Sequence, residues 1–442
     1  MKISRLTLIL LILTLTLSGC TNSNISDYDK NKKNISRNEA WIEDIDYLTK
    51  KLIDMHPNLF FKTTREEYQN KIDTLKKDIP KLNDDSINFR LNEIIASIGD
   101  AHTNYNPTIS KEQSMDEKSY PVKFEWFGEE LSIIYASKEY QDLLGMKLIG
   151  INDIPLDDIL NKLSTAMSFE NREWLKYKAS NDIRRESILN HLGISNKDKI
   201  VYNLEDDNKL KINKTIDAIK YSEIMNLKGL DLKDIDSNRK KPVKEDIPIN
   251  SSNAYWYKFI KEDKIFYIQY NACLDYGNDS SLPKFDEFSN ELIENLQGNI
   301  DNIDKVVVDV RNNTGGNSSF MTNLSLKIKD AIGTNKISTY TIANRGTFSS
   351  GVFAIADLKK NLNATIVGSE TGGNVIQYGN LGYIESPNNK GVISYSMEKY
   401  DFKEYANLQG DGGVIPDIEI KESFESYKNG IDDCYEYIKN IQ

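Results

Sequence analysis

At 442 residues the chain is too long for one ordinary domain, and its length suggests two or three. A composition of 39% hydrophobic and 28% charged residues is that of a globular protein. The formal net charge of −11, with no sustained Lys/Arg run, argues against nucleic acid as a partner, because phosphate binding needs clustered positive charge.

The first 20 residues, MKISRLTLILLILTLTLSGC, read as an export signal: Lys2 and Arg5, then an apolar stretch from Leu6 to Leu17 too short to span a bilayer, then small residues. Its end, Leu17-Ser18-Gly19-Cys20, looks like a bacterial lipobox, in which the cysteine is lipidated and the signal is cut before it. The chain is thus expected to be exported and held by Cys20 on the extracytoplasmic face of a membrane, since two acyl chains suffice for stable anchoring. Residues 21–40, rich in Asn, Ser and Lys, read as a disordered tether. Cys273 and Cys434 lie far apart, and their spacing does not decide whether they pair. Neither has a neighbouring Cys or His at ligand spacing, so no metal site and no cofactor are expected.

A helical segment is expected over 41–115. Trp41, Ile42, Ile45, Leu48 and Leu52 recur at helical spacing until His56-Pro57, Thr64 to Glu67 has capping-box form and opens a second helix to about Asp78, and a third buries Phe89, Leu91, Ile94, Ile95 and Ile98 before Gly99. The polar loop GDAHTNYNP follows and carries His102, a candidate general base, since imidazole has the right pKa for proton transfer near neutrality. The plainer alternative is a loop histidine bonded to backbone. His56 and His191 read as structural or solvated.

From 118 to 230 the pattern turns to short alternating strands, VKFEWF, ELSIIYA and GMKLIGI, then a helix from Asn171 and a hairpin in DKIVYNLEDDNKLKINK. The run GMKLIGINDIPLDDIL resembles part of a PDZ domain, which binds chain ends by adding a strand to its sheet edge; a packing insert is the alternative. A charged linker is expected near 231–246. The last part, 247–442, alternates strands (KIFYIQYNA, KVVVDVR, STYTIAN, ATIVGSE) with helices, which implies a largely parallel sheet with ligands at its carboxyl ends. The loop RNNTGGNSSF and the turn carrying Ser349 and Ser350 both fall at such ends. That serine pair is either a presented nucleophile or an ordinary helix N-cap.

Taken together, GDAHT, VVVDVRNNTGG, GTFSSG, IVGSETGG and GVIPDIEI, in this order, resemble the tail-specific (C-terminal processing) and tricorn-core family of serine peptidases. The resemblance implies an α/β fold with a ClpP/crotonase-like peptidase core, behind an N-terminal helical segment and a small PDZ-like, β-rich middle domain. It implies Ser349 as nucleophile, an oxyanion hole from the amides of Gly316 and Ser350, and polypeptide substrates. The lysine that many members use as base is replaced here by Asn374, so the resemblance assigns the base to His102, with Asp411 as its orienting acid; Asp100 is the alternative, close to His102 in sequence. The activity implied is a membrane-tethered serine endopeptidase acting on exported or unfolded polypeptides. A catalytically inactive peptide-binding lipoprotein and another acyl-transfer chemistry on the same site are the alternatives.

Overall fold

The computed structural model describes residues 35–196, 198–232, 253–275 and 282–441. The export signal with Cys20, most of the expected tether and nearly all of the expected linker lie outside the described residues. No described helix is long and apolar enough to cross a membrane.

Three helices open the described chain: α1 (Arg37–Met55), α2 (Arg65–Asp78) and α3 (Asp84–Ala96). α1 begins inside the stretch expected to be tether. Ser36 and Glu39 form a capping box, each side chain taking the other's backbone N–H, so the helix starts a turn before its first apolar residue. α2 opens on the capping box of Thr64 and Glu67 that the sequence predicts. Ile45, Leu48, Leu52, Tyr68, Leu75, Leu91 and Ile95 make a common core, while Phe89 is only half-buried and stacks on His191. After α3, Gly99 (φ +77°) turns the chain into the histidine loop and the short strand β1 (Asn104–Asn106).

The middle region is a seven-stranded antiparallel sheet with its own core, including Val122, Ile133, Leu148, Ile159 and Leu204. The helix expected from Asn171 is broken into α4 (Arg172–Asp182), capped by the Asn171 side chain, and a short helix at Glu186–His191.

The final region is built on a six-stranded sheet. Its members in chain order are β2 (Tyr255–Ile260), β3 (Ile265–Tyr270), helix α5 (Phe285–Gly298), β4 (Lys305–Asp309), helix α6 (Ser319–Ile332), β5 (Ser338–Ala343), helix α7 (Ser350–Leu362) and β6 (Thr365–Gly368). Beyond them come the hairpin β7 (Ile376–Glu385) and β8 (Val392–Asp401), then β9 (Ile418–Glu419) and helix α8 (Asp433–Asn440). The sheet order is β2-β3-β4-β5-β6-β9, antiparallel only between β2 and β3. Val306 and Val308 of β4 face the layer of α5, α6 and α7, and Val307 faces α8, which is why that strand reads as an unbroken apolar run. The β7–β8 hairpin, for which the sequence analysis assigns no strands, pairs through β8 with β1 and gives Ile384, Ile393 and Tyr395 to the core of the N-terminal helices. That pairing carries the histidine loop to the carboxyl ends of the parallel strands.

Candidate active site

Ser349 sits where β5 gives way to α7, with φ +52° and ψ −123°. A non-glycine residue held there costs about 1–3 kcal/mol and persists only when its surroundings enforce it. They do: Thr347 Oγ1 donates to the Val310 carbonyl at 2.9 Å, the Phe348 N–H to the Asn313 carbonyl at 2.9 Å, and the Gly373 N–H to the Thr347 carbonyl at 2.9 Å. The Ser349 side chain makes no capping hydrogen bond. That separates the two readings of the serine turn, because an N-cap serine spends its oxygen on a backbone N–H and this one does not.

Facing it is the loop after β4. Asn313 is fully buried, donates to the Tyr270 carbonyl at 2.9 Å and accepts the Gly315 N–H at 3.0 Å. Gly315 (φ +111°) lies so close that a Cβ there would stand 2.8 Å from Ser349 Cβ and 3.1 Å from its Oγ. At Gly316 (φ +130°) a Cβ would collide with the Cys273 carbonyl. Ser350 Oγ donates to the Gly316 carbonyl at 2.7 Å, locking the loop to the first turn of α7. The backbone N–H groups of Gly316 and Ser350 find no acceptor among the described residues. Two such donors beside a presented hydroxyl are what an oxyanion hole requires.

His102 lies against the same turn. Its ring stacks on Phe348 at 4.5 Å between centroids, Phe348 stacks on Trp174 of α4 at 4.0 Å, and Trp174 on Tyr177 at 5.0 Å. Both ring nitrogens are buried without a hydrogen-bond partner, so the imidazole is not bonded to Ser349 in this structure. Burial pushes the His102 pKa down, and the Asp100 charge only partly opposes this. A neutral imidazole at neutral pH is the form that accepts a proton.

Asp100 is wholly buried, with Oδ1 4.0 Å from His102 Nδ1. Burial alone would raise its pKa, but hydrogen bonds from His56 Nε2 (3.0 Å), Thr103 Oγ1 (2.5 Å) and Ser396 Oγ (2.7 Å), with the imidazole nearby, hold it at about 2. His56 Nδ1 accepts the Asn58 N–H at 3.1 Å, which leaves the proton on Nε2 to be donated to Asp100.

Residues 327–420 match the model of peptidase family S41. That part of the chain is similar to the family. The chain is a serine-type peptidase, and the matched span contains Ser349 and Ser350 but neither His102 nor the glycine loop, whose parts rest on geometry. The structure is similar to that of mature CPAF complexed with lactacystin, with 13% identity and a TM-score of 0.65 over 91% of this chain and 98% of that one. It is also similar to a further structure of mature CPAF (13%, 0.64, 91% and 96%) and to a putative peptidase from Parabacteroides merdae (13%, 0.47, 90% and 95%). At such identities the likeness to CPAF shows the fold. No curated protein matches the chain.

The structure does not bring Asp411 to His102. The Asp411 carboxylate is fully exposed and paired with Lys403 Nζ at 3.2 Å. Asp100 does lie beside the imidazole: the His102 backbone N–H donates to Asp100 Oδ1 at 2.9 Å and folds the carboxylate back against the loop. Asn374 is a scaffold residue: its Oδ1 accepts from Asn171 Nδ2 at 2.8 Å, and the same Nδ2 holds the carbonyls of Thr371 and Gly372. Cys273 and Cys434 are both buried and unpaired, and lie in cores on opposite faces of the sheet. Sequence reasoning passed over His56, whose only local signal is the following proline; its value comes from Asp100, 44 residues away.

Proposed function

We propose that this chain is a serine endopeptidase of Ser-His type, with Ser349 as nucleophile, His102 as base and Asp100 as the acid that orients it. The observation that carries this is the enforced positive-φ turn at Ser349, with Gly315 against its Oγ and two free amides beside it. Ser349 Oγ attacks the scissile carbonyl as its proton passes to the imidazole. The oxyanion is taken up by the N–H groups of Gly316 and Ser350, and the imidazolium then protonates the leaving amine. Water, deprotonated by the same histidine, hydrolyses the acyl-enzyme and regenerates Ser349. With Nδ1 turned toward Asp100, Nε2 is the nitrogen left for the serine. A small movement of the ring must precede turnover, since catalytic hydrogen bonds often tighten only with substrate bound.

The export signal and Cys20 support an extracytoplasmic, lipid-anchored enzyme, whose substrates would be exported or unfolded polypeptides. The β-rich middle domain, read as PDZ-like, would engage chain ends. One observation favours the second reading, an inactive peptide-binding relative: neither nitrogen of His102 has a partner. The deciding experiment is cleavage of casein by the purified chain beside Ser349→Ala and His102→Gln. Cleavage by the wild type with loss in both variants is expected. Near-normal turnover in His102→Gln would remove the base, and no cleavage with peptide binding intact in all three would establish the inactive relative.

A further inference from the structure

Beside the imidazole lies a carboxylate that the peptidase chemistry does not use. Glu170, in the segment leading into α4, has both carboxylate oxygens buried and without a hydrogen-bond partner. One ligand atom each from Asp100, His102 and Glu170 can be chosen so that all lie within 4.8 Å of one another.

We propose that Asp100, His102 and Glu170 form a binding site for a divalent ion of the zinc type, and that its occupation switches the peptidase off. Each ligand has a lone pair to give. Both nitrogens of His102 are without a partner, and the Glu170 carboxylate makes no hydrogen bond of good geometry, although the Ala101 N–H and the Asp100 carboxylate lie close to it. Asp100 Oδ2 is taken by His56, Thr103 and Ser396, whereas Oδ1 carries one described hydrogen bond, from the His102 N–H. One imidazole and two carboxylates suit zinc, whose bonds to such ligands are about 2.0–2.2 Å, better than magnesium or calcium, which favour oxygen alone. Closing 4.8 Å to zinc geometry needs a contraction of roughly 1 Å.

The charge balance points the same way. Two buried carboxylates facing each other repel. The nearest lysine, Lys62, spends a hydrogen bond on the Glu170 backbone carbonyl at 3.1 Å. A bound ion would place positive charge between the two carboxylates. The sequence analysis expects no metal because it looks for ligands around the cysteines; this set contains none and joins the histidine loop to the middle region.

Binding does not depend on the peptidase mechanism, but the silencing rests on His102 as the base. An ion on Nδ1 fixes the proton on Nε2, and an ion on Nε2 occupies it directly, so in either case the imidazole cannot take the Ser349 proton. The test uses the full chain, freed of metal with EDTA. Zinc affinity is measured by competition with a chromophoric chelator, cobalt binding by its visible absorption, and casein cleavage relative to each variant's own metal-free rate. One ion per chain is expected, with cleavage falling in step with occupancy and restored by EDTA, and with affinity weakened roughly 10- to 100-fold in Glu170→Gln and His102→Ala. Glu170→Gln is nearly isosteric and guards against misfolding. No binding by the wild type, or unchanged affinity in both variants, overturns the site. Binding at the site without loss of cleavage overturns the silencing and, with it, His102 as the base.

Discussion

Ser349, His102 and Asp100 each depend on burial in a different way. The serine is half-exposed on a strained turn, the histidine is kept neutral by desolvation, and the aspartate is kept charged by hydrogen bonds strong enough to overcome it. The sign of the pH dependence follows. His102 must lose its proton to act, its pKa lies below the ordinary 6.5, and kcat/KM should therefore rise with pH through that lowered value and be flat at neutrality. In Asp100→Asn the attraction for the imidazolium is gone, so the acid limb should move to still lower pH while kcat falls by roughly 10²- to 10⁴-fold. A pH-rate profile of the two proteins checks both, and an acid limb that moves upward in the variant would remove Asp100 from its role.

At the scale of elements, the site is the meeting of two loops and a stack of rings. Gly315→Ala would place a methyl carbon 3.1 Å from Ser349 Oγ on a backbone with φ +111°. We expect kcat to fall by roughly 10²- to 10³-fold, comparable to losing an oxyanion donor, with the far-UV circular dichroism unchanged. Loss of the dichroism would instead mean that the glycine serves folding. Trp174, on α4, is one of the middle region's contacts with the serine turn, through Phe348 to His102. Replacing it by Ala should cost about 3–5 kcal/mol in urea denaturation, the range for a buried aromatic removed without collapse of the cavity. A cost below about 1 kcal/mol would show that the stack is not a structural tie.

Over the whole molecule, the histidine loop is held by parts far apart in the chain. Ser394 Oγ donates to the His102 carbonyl at 3.2 Å and Ser396 Oγ to Asp100 at 2.7 Å, so the N-terminal helices and the C-terminal hairpin close on one buried carboxylate. Asp100 has a pKa of about 2 folded and about 3.9 in an unfolded chain. Because the folded value is the lower, its contribution is present above the unfolded pKa and is lost as pH falls toward 2. The size is about 2.6 kcal/mol. Urea midpoints measured between pH 5 and pH 2.5 should fall more steeply in the wild type than in Asp100→Asn, and parallel curves would contradict the assignment.

The sequence by itself determined what is local. The capping box at Thr64, the apolar spacing of α1, the continuous run of β4 and the glycine loop beside the serine turn were legible because caps, periodicity and glycine conformations are set by neighbours a few residues apart. Ser349 and Gly316 were singled out that way as candidates, with the family resemblance placing them. Tertiary structure alone sets which carboxylate lies near His102 and what surrounds the imidazole. Asp411 and Asp100 are equally plausible as letters, yet one carboxylate is turned to solvent against Lys403 and the other is buried by His56, Thr103 and Ser396. The hairpin that brings His102 to Ser349, and the carboxylate of Glu170 beside it, were likewise invisible, because burial and pairing across tens to hundreds of residues leave no periodic signal in the chain.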